Sequence, residues 1–182
     1  ELADDVDVDD KFNTLRKTVD GGYIIAGNSN RYGWLLKTDS EGNPEWEYLH
    51  NGGVGNNELS FNSVEQTSDG GYVITCSRYN LRYGLYDDTW NDSDGLLIKV
   101  GGQGNLQWER TFGLYSTDTT AYNPGYGMGQ DGIRSVKETN DSGFIITGST
   151  NSFDIEPFSL GNAFDVWLIK TDSEGNTVSY ND

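Results

Sequence analysis

The chain has 182 residues, 34% of them hydrophobic, 13% aromatic and 23% charged, with 24 glycines. That is long enough for one domain with a sizeable core, and the glycine share implies many turns. With 29 acidic against 12 basic side chains the formal charge is −17, which disfavours nucleic acid and anionic membranes as partners, since both are held by basic patches. The single cysteine, Cys76, excludes an internal disulfide and a cysteine-based metal cluster, and no apolar run approaches the ~20 residues that cross a bilayer. No signal-peptide pattern opens the chain, so Glu1 is read as either a product of processing or a boundary within a longer chain.

Self-similarity organises the rest. The first element predicted is a strand ending at the turn Asp20-Gly21-Gly22, followed by the run Tyr23-Ile24-Ile25-Ala26-Gly27. The stretch 12–27 aligns without a gap on 61–76, with Asp69-Gly70-Gly71 then Tyr72-Val73-Ile74, and on 133–148, with Asp141-Ser142-Gly143 then Phe144-Ile145-Ile146. A second block follows each: Trp34-Leu35-Leu36-Lys37 to Asn43, Leu96-Leu97-Ile98-Lys99 to Asn105, and Trp167-Leu168-Ile169-Lys170 to Asn176. Trp46 and Trp108 come three residues after the asparagine in the first two copies, and Ser179 stands there in the third.

Each copy reads as four strands, a to d: a hairpin through the Asp-Gly-Gly turn, then a second hairpin through the Gly-Asn turn. No segment carries a helical period. The apolar runs in strands b and c are continuous rather than alternating, the pattern of a sheet covered on both faces. The expected fold is therefore all-β: three tandem four-stranded antiparallel blades of β-propeller type, 11–60, 61–132 and 133–182, forming a single repeat domain. Leu36, Ile98 and Ile169 are expected at equivalent buried positions, as are Ile24, Val73 and Ile145. The motif, from Asp-Gly-Gly-Tyr-Ile-Ile-Ala-Gly to Trp-Leu-Ile-Lys-Thr-Asp-Ser-Glu-Gly-Asn, resembles the propeller-like repeats of large secreted or surface proteins of archaea and bacteria. The resemblance covers nearly the whole chain from Lys11. It implies extracellular or cell-surface placement and a role in adhesion, scaffolding or recognition, with no fixed catalytic set.

Closed propellers have four to eight blades. Three leave two outward sheet faces, with Tyr23, Ile25 and Trp34 among the residues at risk, so the chain is expected to be a partial propeller, completed by further blades or by self-association.

The copies differ in their connections. Gly22 to Lys37 spans 15 residues, against 28 from Gly71 to Lys99 and 27 from Gly143 to Lys170. Trp46 to Gly71 spans 25, against 35 from Trp108 to Gly143. In an up-and-down blade all these b–c and d–a insertions lie on one face, where repeat proteins commonly bind. Their aromatics are the candidate contact residues: Tyr79, Tyr83, Tyr86 and Trp90; Tyr115, Tyr122 and Tyr126; Phe153 and Phe158. Three roles stand side by side: packing of the loops, a protein partner, or a glycan.

Among acids, Asp88, Asp92 and Asp94 are candidate calcium ligands by chemistry, although their spacing is not that of an EF-hand loop. The alternative is a solvated acidic loop, and no other cofactor is expected. Asn91 and Asn140 begin N-glycosylation sequons. The Asp-Ser-Glu-Gly-Asn segments read as hairpin turns, because Gly101-Gly102-Gln103 lacks both acids and keeps the glycine and asparagine. His50, the only histidine, reads as a solvated turn residue, and Cys76 as a buried thiol. The favoured function is a non-catalytic structural or assembly module. A ligand-binding loop face is the alternative, and a glycoside-acting enzyme a third that would need a carboxylate pair in a pocket.

Overall fold

The computed structural model describes residues 10–51, 57–83, 89–113, 130–150 and 164–178. Among the described residues eleven antiparallel strands form three sheets. The first contains β1 (Asp10–Lys17), β2 (Tyr23–Ser29), β3 (Tyr32–Thr38) and β4 (Pro44–His50), in that order. The second contains β5 (Asn57–Gln66), β6 (Tyr72–Tyr83), β7 (Thr89–Val100) and β8 (Leu106–Phe112), again in chain order. The third contains β9 (Gly132–Glu138), β10 (Phe144–Thr150) and β11 (Asp165–Thr171). Among the described residues there is no helix.

Three strands of the third sheet lie within the described residues. A bridge of Thr177 to Thr171, and the Val178 N–H donated to Lys170 O at 3.0 Å, begin a fourth strand that is not extended within the described residues.

The continuous apolar runs are explained by stacking. Ile24, Ala26 and Leu35 of the first sheet meet Phe61, Val64, Tyr72, Ile74, Cys76, Leu96, Ile98 and Val100 of the second in one core. Val73, Leu97 and Phe112 point from the other face of the second sheet into another core with Ile133, Val136, Phe144, Ile146 and Ile169 of the third. Neighbouring residues on β6 thus serve opposite cores, as strand geometry requires, and the middle sheet has no wet face. Leu36, Ile98 and Ile169 are all buried; Ile24 and Val73 are buried too, while Ile145 is half-buried on the outward face of the third sheet.

Cys76 is fully buried in the first core, and burial raises its thiol far above the ordinary range. A thiol reagent is therefore expected to leave the native chain unlabelled and to modify Cys76 only in denaturant. Stoichiometric labelling of the folded chain would contradict its place in the core.

Candidate functional site

The turns between strands a and b, Asp-Gly-Gly twice and Asp-Ser-Gly once, are built alike in all three sheets. Thr18 Oγ1 donates to Asp20 Oδ1 at 2.5 Å, Thr67 to Asp69 at 2.6 Å and Thr139 to Asp141 at 2.5 Å. The N–H of Gly22, Gly71 or Gly143 donates to the same carboxylate. Lys37, Lys99 and Lys170 each reach across from strand c to the aspartate at 2.9 Å. The second glycine is obligatory for contact rather than flexibility: a Cβ on Gly22 would lie 2.1 Å from Thr38 O and 2.8 Å from Lys37 Nζ. The lysines are consumed in clamping each hairpin. Burial alone would lower the Lys37 pKa, but hydrogen bonds to Glu45 and Asp20 carry it above its ordinary value.

These carboxylates titrate low. Burial would raise Asp69, but the Thr67 hydroxyl and the Lys99 ammonium outweigh it and bring it down to about 2. Asp20 and Asp141 are lowered, first by their threonine hydroxyls and then by their lysines. A depressed folded pKa contributes stability that is complete above the unfolded carboxylate range and is lost as pH falls through the folded value. Urea midpoints are therefore expected to drop between about pH 4 and pH 2, and Lys99→Met to flatten that drop. A midpoint that is flat with pH in the unmodified chain would mean that the clamps contribute nothing.

The Asp-Ser-Glu-Gly-Asn segments are turns. Asp39 Oδ1 accepts the N–H of Glu41 at 2.8 Å and of Asn43 at 2.9 Å, and Asp172 accepts those of Glu174 and Asn176 in the same way.

The long insertions share a polar root. The guanidinium of Arg78 on β6 donates to Asp94 Oδ2 on β7 at 2.8 Å, and Thr150 Oγ1 donates to Asp131 Oδ1 at 2.5 Å. Asp94 and Asp131 are each 1% exposed. Both crowd Gly113, where a Cβ would lie 2.6 Å from Asp94 Oδ1 and 3.1 Å from Asp131 Oδ2. Gly113 and Asp131 flank the d–a insertion, and Thr150 opens the last b–c insertion. Two buried pairs, adjacent at Gly113, therefore hold the ends of both. Sequence reasoning missed Arg78, Asp131 and Thr150. Asp131 aligns with Asp10 in the first copy and with the buried Leu59 in the second, so the repeat pointed neither way there.

Of the candidate contact residues, Tyr79 is described and is 44% exposed. Tyr83 and Trp90 lie on a ribbon that prolongs β6 and β7 to 12 residues each, with Tyr83 paired to Thr89 and Arg82 to Trp90. Tyr86, Tyr115, Tyr122, Tyr126, Phe153 and Phe158 lie outside the described residues, as does Asp88. Asp92 and Asn91 are placed on the ribbon by backbone register, opposite Asn80 and Leu81. Asp94 is bound to Arg78. Asn140 is exposed in the third Asp-Ser-Gly turn. Among the described residues no group of three or more His, Cys, Asp or Glu is placed to hold a metal ion.

His50 corrects the reading of a solvated turn. It ends β4 with 8% exposure, its Nδ1 is 2.8 Å from Tyr48 Oη and its Nε2 is 3.1 Å from the Glu109 carboxylate of the second sheet. Burial lowers its pKa below the ordinary value, against the pull of Glu109. Its ring stacks on Phe61, so it belongs to the contact between sheets.

That contact is the most regular feature of the molecule, and its parts occur at both junctions. The N–H of Leu59 donates to Arg31 O at 3.0 Å, and that of Asp131 to Ser93 O at 2.8 Å. Asn13 Nδ2 donates to Phe61 O at 2.8 Å, and Asn62 Nδ2 to Ile133 O at 2.9 Å. The turn N–H of Val19 donates to Gln66, and that of Ser68 to Glu138, both at 2.8 Å. Trp46 packs on Tyr72 with ring centroids 5.7 Å apart, and Trp108 on Phe144 at 5.9 Å. Each indole also lies over the c–d turn glycine of the next sheet: a Cβ on Gly104 would meet Trp46 at 2.8 Å, and one on Gly175 would meet Trp108 at 2.7 Å. Gly33 leaves room for the Phe61 ring, and Gly95 for Ile133.

No protein-family model matches this sequence, and no curated protein matches it.

Proposed function

We propose that the chain is a non-catalytic assembly module of extracellular or cell-surface placement, its three sheets acting as β-propeller-type blades that associate with further blades or chains. One observation carries the reading. Both outward sheet faces expose apolar side chains at positions that are buried inside the stack. On the first sheet these are Phe12 and Leu15, and on the third Val166 and Leu168. Apolar rows of this kind favour association. The acidic composition and the resemblance to surface-protein repeats support the placement.

Light scattering combined with an apolar fluorescent dye tests it. Species heavier than 20.1 kDa, or a monomer that binds the dye, support the module. A 20.1 kDa monomer that binds no dye overturns it.

A second reading rests on the exposed Tyr79 and on the 12-residue strands β6 and β7, which extend the second sheet on its b–c connection face. That face suits a protein or glycan ligand. A glycan array with Tyr79→Ala as comparison decides it: no retained glycan, or retention indifferent to the substitution, rules out a sugar site at Tyr79.

A further inference from the structure

We propose that the outward face of the first sheet is a docking site for one more repeat, carried by a partner, that presents a tryptophan from its last strand. We further infer that the third sheet of a second copy is not that partner. This rests on the assembly reading and narrows it to a polarity and a set of residues.

The two internal junctions define a giving side and a receiving side. The receiving residues are the strand-a pair Phe61 and Val64 with Tyr72 and Gly104 in the second sheet, and Ile133 and Val136 with Phe144 and Gly175 in the third. The first sheet keeps every one in type: Phe12, Leu15, Tyr23 and Gly42. What differs is their cover. Phe61 and Val64 are 0% and 1% exposed, whereas Phe12 and Leu15 are 56% and 54%. Tyr72 and Phe144 are buried, and Tyr23 is half-buried. Gly104 and Gly175 each lie under an indole, and a Cβ on Gly42 would meet nothing within 4 Å. A tryptophan socket is therefore present on the first sheet and open.

The giving residues are Asn13, Gly33 and Trp46 in the first sheet, and Asn62, Gly95 and Trp108 in the second. The third sheet has lost all three, with Arg134, Val166 and Ser179 at the aligned positions. Val166 alone forbids the same geometry. The Cβ absent from Gly33 would lie 2.2 Å from the Phe61 ring, so a valine there collides with an incoming Phe12. A head-to-tail chain of identical copies is thus excluded in this geometry. The partner must carry asparagine, glycine and tryptophan at those places. It also needs an acidic group in its first turn, because exposed Lys17 replaces the acceptors Gln66 and Glu138.

The test restores the giving side on the full chain. The probe is the triple variant Arg134→Asn, Val166→Gly, Ser179→Trp, with Val166→Gly, Ser179→Trp as a second probe should the triple variant fold poorly. It is titrated into the otherwise unmodified chain bearing an environment-sensitive dye at Glu41→Cys, buried Cys76 remaining unlabelled. The expected result is binding at least about tenfold tighter than that of the unmodified chain, with a blue-shifted dye. Tyr23→Lys or Gly42→Asn in the labelled chain should abolish the gain. Binding by neither probe beyond that of the unmodified chain overturns the inference. So does a gain that survives Tyr23→Lys and Gly42→Asn, and so does equally tight binding by the unmodified chain. Each of those results leaves the assembly reading to its own measurement of mass and dye binding on the unmodified chain.

Discussion

Ile98→Asp is expected to leave the chain unfolded at 25 °C. Ile98 is 0% exposed near the end of β7, paired with Ile74 on one side and Glu109 on the other, within the core that joins the first two sheets. An aspartate there either keeps its charge without water or takes up a proton to become neutral. Either route costs several kcal/mol, in addition to the ~2–5 kcal/mol of lost isoleucine packing. The sum approaches the ~5–15 kcal/mol total stability of a domain. Far-UV circular dichroism and urea titration read the outcome, with Ile98→Val as the mild control at about 0.5–1.5 kcal/mol. A cooperative transition in Ile98→Asp with an unchanged midpoint would mean that this position faces water.

Asp94→Ala is expected to cost about 3 kcal/mol. The carboxylate is 1% exposed and binds Arg78, whose side chain is 18% exposed. Removing one partner of a buried pair strands the other, typically at a cost of about 3–5 kcal/mol, and the partial access of water to Arg78 places this pair at the low end. At a urea slope of about 1–3 kcal/mol/M the midpoint moves by about 1 M or more. Repeating the titration with calcium separates two roles for the same side chain. As the partner of Arg78, Asp94 gives a loss indifferent to calcium. As a metal ligand, it gives a calcium-dependent gain in the unmodified chain that Asp94→Ala abolishes.

The strands were legible because their cause is local. Continuous apolar runs bounded by Asp-Gly-Gly and Gly-Asn turns admit few other structures, and the threefold repetition removed the ambiguity of any one run. Glycine was legible only in part. Gly104 reads from sequence as a turn residue, which it is at φ +78°, but its second duty is to lie under Trp46 of another sheet. Gly33 and Gly95 serve only such a contact, and no neighbouring residue announces it. His50 was misread from its turn-like flanks, although its aligned position holds Phe112, a buried aromatic whose signal was available. The aromatic face was legible as composition, while the buried pairs beneath it were not. Arg78, Asp94, Asp131 and Thr150 come from four different strands or strand ends and meet only in three dimensions.

The junction described twice in this molecule is heterologous: one surface always meets a different one, and matching contacts join the first sheet to the second and the second to the third. Repeating such a junction closes into a ring when its rotation divides a full circle and winds into an open helix when it does not. Nothing in the contact itself counts the steps. A growing series must be stopped by residues that refuse the next one, as a capping repeat does in a solenoid. Arg134 and Val166 on the third sheet stand where the giving residues Asn13 and Gly33 stand on the first, so the two ends of the series differ and the series has a direction.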